Sequence, residues 1–422
     1  MITVDLSNIW SRISLPDLLE RERDLFDAHL RLRSNSDSEP AFCGWLGAPD
    51  AQTAKMLNSV KKAAEHIRSG SQVLIVVGVG GSFAAARAGV QLLSGHDPEA
   101  PQILFAGCDL CSRAWLSLCR ELGQKDISLH IIEPDGSQIE PAIASRAIRW
   151  MLERRYGSEA KKRVCISALP DSPFAVMAQE EGYTLLPLPT DPGGADSGLS
   201  SAALLPMAVA GIDPLSVLEG AAEAYGQMDV RAFENPAWLY AGARICLKDS
   251  GCAAELLETF DPSYDLFGRW WRQTVLAKSC GLLPIHAPMT EELDAWDGVL
   301  DGGSPVFETL LKTDNSSIRK VNVEMDWKDY DGLGYLAEHT LEDAAQATSE
   351  ALVAVHGDLG IPVVILQTGA MDAPQFGELI YFLELSAALC AAVSGAELTE
   401  PAKKRVRSEA ERLLGKPQEG SF

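Results

Sequence analysis

The short run Gly78-Val79-Gly80-Gly81-Ser82 is the part of this chain best suited to chemistry. Glycines at 78, 80 and 81 leave the backbone open to close approach, so N–H groups there can reach an oxyanion. The preceding residues, Val73–Val77, are apolar and mostly β-branched, which predicts a short buried strand of a parallel sheet. Ser82 has the right chemistry for the N-cap of a helix over Phe83–Leu93. Strand, glycine turn and helix N-terminus form an anion-binding arrangement, because free amides and the helix dipole both favour negative charge. The other reading of these residues is a tight strand-to-helix turn that serves packing alone. A dinucleotide fingerprint needs a third glycine where Phe83 stands, and the Walker pattern needs a Gly-Lys-Ser/Thr that does not follow. The anion that fits is a compact phosphate, such as one carried by a small sugar.

The elements that hold this turn need a sizeable core, and 422 residues at 46% hydrophobic supply one, with two domains as the natural division. A net charge of −23 opposes nucleic acid and anionic membranes as partners. The nine cysteines are scattered, and Cys108 and Cys111 make the one CxxC. No second pair or His pair at metal spacing accompanies them, so reduced thiols and no metal are expected. The N-terminus, MITVDLSNIW, lacks the pattern of a secretory signal, and no apolar run reaches the roughly 18 residues that span a bilayer. A soluble cytoplasmic protein is the expectation.

Along the chain, Leu15–Leu32 has the apolar spacing of an amphipathic helix, and Ser34–Pro40 is a polar linker. A helix over Ala51–Ser69 leads into the glycine turn. Strands at Gln102–Ala106, Ser128–Ile132 and Arg163–Ser167 then alternate with helices at Ala114–Leu122 and Pro141–Tyr156. Such alternation predicts a parallel sheet with helices on both faces. After the loop Asp191–Gly198 comes an apolar run, Ala202–Ile212, and a second set of elements starts near Leu215. It includes a helix at Pro236–Leu247, an irregular region over Leu282–Val306 and a helix at Leu341–Val355 capped by Thr340. A strand at Pro362–Leu366, a long helix at Phe376–Val393 and a charged helix at Pro401–Leu414 complete it. The expected fold class is α/β, with two α/β/α sandwich domains built on parallel-rich sheets. Residues 1–50 form a helical N-terminal segment on the second domain, 51–200 the first domain, and 201–422 the second domain with the C-terminal helix.

The stretch VGVGGSFAAAR (Val77–Arg87) is similar to the IGIGGS-x-x-G-A-R motif of bacterial glucose-6-phosphate isomerases. Others agree in order: LFAGCDL (Leu104–Leu110), IEPAIASR (Ile139–Arg146), LLPMAVAG (Leu204–Gly211) and NPAWLYAGAR (Asn235–Arg244). GRWWRQ (Gly268–Gln273), VFETLL (Val306–Leu311), DGLGYLA (Asp331–Ala337), VHGDLGIP (Val355–Pro362), FGELIYFLE (Phe376–Glu384) and LLGKP (Leu413–Pro417) continue the series. The resemblance implies two sugar-isomerase domains, a homodimer with shared active sites, and reversible conversion of glucose 6-phosphate to fructose 6-phosphate without a cofactor.

That reaction needs a base near neutral pKa, donors for the enediolate oxygens, an acid–base group for ring opening and a phosphate cradle. By resemblance, Gly80, Gly81 and Ser82 are the first phosphate-binding turn, and Gly136, Ser137 and Gln138 fall in the second, the family's SKSGTTTEP. Glu133 and Asp135 replace serines of that loop. A carboxylate roughly 5 Å from a phosphate charge repels it by about 3 kcal/mol at an effective dielectric near 20. Asp135 turned away to cap the following helix escapes this repulsion. The family's base falls on Lys278, or on Ala277 without an insertion, and the ring-opening histidine on Asp294. His286, Glu291 and Glu292 are candidates for relocated acid–base groups, with a merely solvated role as the alternative. Arg407 stands at the family's lysine, Ala195 at the arginine of its GGRYS, and His356 matches its AHxDGG, where the sequence suggests no partner for it. With the framework kept and these groups changed, three outcomes remain open. They are a working isomerase with a rearranged site, a non-catalytic sugar-phosphate sensor, and an isomerase-fold enzyme acting on another sugar.

Overall fold

Ile2, Val4 and Leu6 alternate with more exposed neighbours, and in the computed structural model of the protein this N-terminal stretch is a strand, β1 (Thr3–Asn8). A strand thus precedes the helices expected in residues 1–50, because a short period-two pattern becomes a strand once a distant edge is there to pair with. The structure describes residues 1–33, 51–93, 95, 97–191, 193–277, 280–300, 303–316, 318–395 and 405–416. The linker Ser34–Pro40 and Lys278 lie outside them.

Two helices follow β1, α1 (Leu15–Leu19) and α2 (Glu22–Arg33), in place of one over Leu15–Leu32. Ser14 and Asp17 start α1 with a capping box, and the Glu20 N–H closes it on the carbonyls of Pro16 and Leu18. Next come α3 (Ala51–Gly70), β2 (Val73–Gly78), α4 (Gly81–Leu93), β3 (Gln102–Ala106) and α5 (Ser112–Leu122). The first sheet ends with β4 (Ile127–Ile132), α6 (Ile139–Tyr156), β5 (Val164–Ala168), α7 (Pro173–Glu181) and β6 (Thr184–Pro187). Its order is β3-β2-β4-β5-β6, parallel throughout, with Val73 opposite Gln102 on one side and Ile127 on the other. All of β2 is buried, as a central parallel strand with both faces covered must be.

The helices α8 (Ser201–Val209), α9 (Pro214–Gln227) and α10 (Pro236–Asp249) lead to the second sheet. It is assembled from β7 (Ala254–Thr259), α11 (Asp265–Ala277), β8 (Leu283–Pro288), α12 (Met289–Leu300) and β9 (Val306–Thr313). Then come α13 (Leu341–Asp358), β10 (Val363–Thr368), α14 (Ala373–Val393) and α15 (Arg405–Leu413). The order is β1-β10-β9-β7-β8, parallel except for β1. The expected irregular region Leu282–Val306 is therefore ordered as β8 and α12. A non-local partner decides this: β8 pairs with β7, and Met289, Leu293, Trp296 and Leu300 give α12 an apolar face against Leu256 and Ala287. Thr340 caps α13 through a box with Asp343, as its sequence suggests.

A single core cluster joins the two sheets. It runs from Leu74 and Val76 of β2 through α4, α8, α10 and α14 to Val364 and Leu366 of β10. Helix α14 is long and apolar enough to cross a membrane by length and composition alone, but most of it is buried inside the protein between the other helices. It crosses α9 at close range. A side chain at Gly377 would overlap the Val217 carbonyl, and one at Gly220 would overlap Pro374.

Candidate functional site

The first glycine turn sits at the carboxyl end of β2, in the middle of a parallel sheet, where helix N-termini open a crevice. Gly80 adopts φ of +94°, which favours glycine, and α4 begins at Gly81. Ser82 is thus one residue inside the helix instead of at its N-cap, and it is buried. The Gly81 N–H donates to Oδ1 of Asp196 at 3.2 Å. Asp196 ends a short 3-10 turn, Gly194–Asp196, which also contains Ala195. The next residues are tied to α14: Ser197 Oγ donates to Glu384 Oε2 at 3.0 Å, and the Gly198 N–H donates to Oε1 at 2.9 Å. The anion at the start of α4 is therefore the chain's own carboxylate, anchored from a distant helix. Neither Asp196 nor Glu384 stood out in the sequence, and the signal available was an acid inside the glycine-rich Asp191–Gly198.

The second loop lies between β4 and α6, on the strand adjacent to β2. Glu133 is fully buried and accepts from the Gly136 N–H at 3.0 Å. Burial, then the Asp135 carboxylate, pushes its pKa up to about 7, against the pull of the Gly136 and Gln138 amides and the Arg407 charge. Asp135 accepts from the Ser137 N–H at 2.9 Å. The cap position of α6 belongs to Gln138, so Asp135 closes the loop instead of capping the helix. Arg407, from α15, donates through Nη1 to the Ser137 carbonyl and through Nη2 to Glu140 Oε2, both at 3.3 Å. The contiguous Gly136, Ser137 and Gln138 thus meet Arg407, which lies 270 positions from Ser137. Glu140 also lines a cavity of about 410 Å³ with Phe105, Gly107, Asp109, Trp115 and Ile143.

The remaining candidates belong to the second sheet. His286 is on the edge strand β8, its Nε2 3.0 Å from Thr259 Oγ1 and its ring against Gly268 of α11. Burial holds its pKa below the ordinary value, with Asp265 and Glu292 opposing, so at neutral pH the imidazole is neutral and can accept a proton. Glu291 and Asp294 are exposed on α12, and Glu292 Oε2 accepts from Trp296 Nε1 at 2.8 Å. His356 has two carboxylate partners. Its Nδ1 is 2.8 Å from Glu308 and its Nε2 is 3.1 Å from Asp297. Burial disfavours its charge, yet those carboxylates outweigh it and raise the pKa. Burial, together with Glu308, drives the nearby Glu258 carboxyl far above its ordinary range.

No family model matches the chain. It is 31% identical over 412 residues to the glucose-6-phosphate isomerase of Staphylococcus haemolyticus, covering 94% of this chain and 93% of that protein. It is also 31% identical to that of Lactiplantibacillus plantarum, covering 99% and 96%. Among solved structures, a hypothetical protein from Thermus thermophilus superposes with a TM-score of 0.86 at 18% identity, covering 98% and 99%. A glucose-6-phosphate isomerase from Chlamydia trachomatis superposes with a TM-score of 0.75 at 14% identity, covering 94% and 84%. At those identities the two structures speak for the fold alone.

Proposed function

Because the chain belongs to the glucose-6-phosphate isomerase family, we propose that it binds a hexose 6-phosphate between its two glycine loops and interconverts the aldose and ketose forms. The observation that carries this reading is Arg407, whose guanidinium reaches the second loop at Ser137. On binding, the phosphate exchanges for the Asp196 carboxylate at the Gly81 amide, one anion for another, while Arg407 leaves Glu140 for the stronger charge. Neutral His286 is the group best prepared to take the proton that moves between the two sugar carbons, and no cofactor takes part. Lys278, Glu291 and Asp294 stay as further acid–base candidates. As part of the same proposal the protein is a cytoplasmic homodimer, with neither nucleic acid nor membrane as partner.

A second reading, a non-catalytic sensor of the same ligand, is favoured by one feature. The amides of both loops are already held by Asp196, Glu133 and Asp135. A coupled assay from fructose 6-phosphate to glucose 6-phosphate decides between the two. Turnover that falls at least tenfold in Arg407→Ala and His286→Ala supports the isomerase. No turnover, with a thermal upshift on adding fructose 6-phosphate, supports the sensor. Neither turnover nor upshift overturns both.

A further inference from the structure

Strand β7 carries two buried glutamates three residues apart, and they face opposite sides of the sheet. Glu255 points toward α10. It accepts from Arg244 Nε at 2.7 Å, from the Tyr240 hydroxyl at 2.5 Å and from Thr309 Oγ1 at 2.9 Å. Glu258 shares the face of Leu256, which packs on the apolar cluster under α12 and α13. It is fully buried, no donor from another residue type reaches either carboxylate oxygen, and the Glu308 carboxyl stands beside it. An ionised carboxylate in such a place is strongly disfavoured unless a positive group meets it.

The groups around it are specific. Glu308, on the adjoining strand β9, is fully buried, and His356 from α13 is 1% exposed. One ligand-capable atom from each of Glu258, Glu308 and His356 lies within 4.8 Å of the others. His356 Nε2 is 3.1 Å from Asp297 Oδ1, a side chain 54% exposed at the edge of the cluster. With a proton on Nε2 donated to Asp297, the Nδ1 lone pair is directed at the Glu308 carboxylate, 2.8 Å away. A proton bridges the two in the metal-free chain, and a metal cation can take that proton's place. A carboxylate holding the far nitrogen of a histidine is the usual outer support of a metal-bound imidazole.

We propose that Glu258, Glu308 and His356 bind one divalent transition-metal cation, with Asp297 as the positioning residue for the imidazole. Two carboxylates and a dication leave the buried site neutral. One nitrogen and two carboxylate groups suit manganese or zinc better than a soft monovalent ion, and calcium asks for more oxygens than are gathered here. The cation would tie β7, β9 and α13 together. None of its ligands belongs to the glycine loops, so this inference stands or falls separately from the sugar-phosphate reading.

The test uses the full chain, stripped with EDTA and titrated with Mn²⁺. Manganese is preferred to zinc because the exposed thiols of Cys108 and Cys111 would compete for the softer metal. The expected result is saturable binding of one Mn²⁺ per chain by electron paramagnetic resonance, with coupling to a single imidazole nitrogen and a thermal upshift. Glu258→Gln, an isostere of the protonated acid, should weaken binding at least tenfold, and Asp297→Asn several-fold. No saturable binding at millimolar Mn²⁺, or unchanged affinity in Glu258→Gln, overturns the proposal. Should Glu258→Gln not fold, the wild-type spectrum decides alone: bound Mn²⁺ without nitrogen coupling is equally fatal.

Discussion

Asp196 is the residue whose removal says most about the glycine loops. In Asp196→Asn the Oδ1 acceptor for the Gly81 amide remains but the charge that competes with a phosphate is gone. A carboxylate–phosphate repulsion of about 3 kcal/mol per phosphate charge at roughly 5 Å sets the scale of the gain, and the exposure of Asp196 lowers it. Fructose 6-phosphate should bind roughly tenfold more tightly in isothermal titration, and equal affinity would mean that the phosphate does not meet this turn. Two buried histidines control behaviour in acid. His29 accepts from Trp238 Nε1 at 2.7 Å, and burial lowers its pKa to about 4; burial alone lowers that of His130 to about 3. The unfolded chain protonates both near pH 6.5, so it binds more protons than the native state below that value. Their contribution to stability is present above pH 6.5 and is lost as pH falls toward the folded values, by about 3 kcal/mol for His29 and about 5 kcal/mol for His130. Glu133 acts in the opposite sense: its raised pKa favours the fold at low pH, and that contribution is lost as pH rises through about 7. Glu258 and His356, both raised, act in the same sense as Glu133, so the test is a difference: from pH 7 to pH 4.5 the urea midpoint of His130→Gln should rise relative to that of the unmodified chain. A difference that stays constant over this range would contradict the assignment.

At the scale of elements, the crossing of α9 and α14 depends on backbones that touch where Gly220 and Gly377 lie. Gly377→Ala places a methyl group against the Val217 carbonyl, which must move, and overpacking of this kind costs about 1–3 kcal/mol. Chemical denaturation should show the loss, while Gly226→Ala in α9, where a methyl meets nothing, serves as the control. Strands β2 to β5 of the first sheet could be located in the sequence nearly to the residue, because each is a short, mostly apolar run between helical segments, whereas the short edge strand β6 could not. The N-terminal strand and the segment from Leu283 to Leu300 could not. Strand β1 is an edge strand of mixed character, and β8 keeps its shape by pairing with β7. Their assignment depends on neighbours that no local pattern names.

For the whole molecule, the joint core from Leu74 to Leu389 makes each sheet depend on the other. We expect a single unfolding transition, with coincident midpoints by tryptophan fluorescence and far-UV circular dichroism. Two separated transitions would show that the sheets fold independently. The sequence alone determined the alternation of strands and helices, the family, and the position of both glycine loops, because these are carried by contiguous patterns. Only the tertiary structure decided which charges those loops meet. Asp196 reaches Gly81 across 115 positions and Arg407 reaches Ser137 across 270. It likewise gave His356 two carboxylate partners and set Glu258 beside a second buried acid, Glu308. The reason is that a side chain's charge state depends on what packing places beside it and how much water it removes, and both are set by segments distant in the chain.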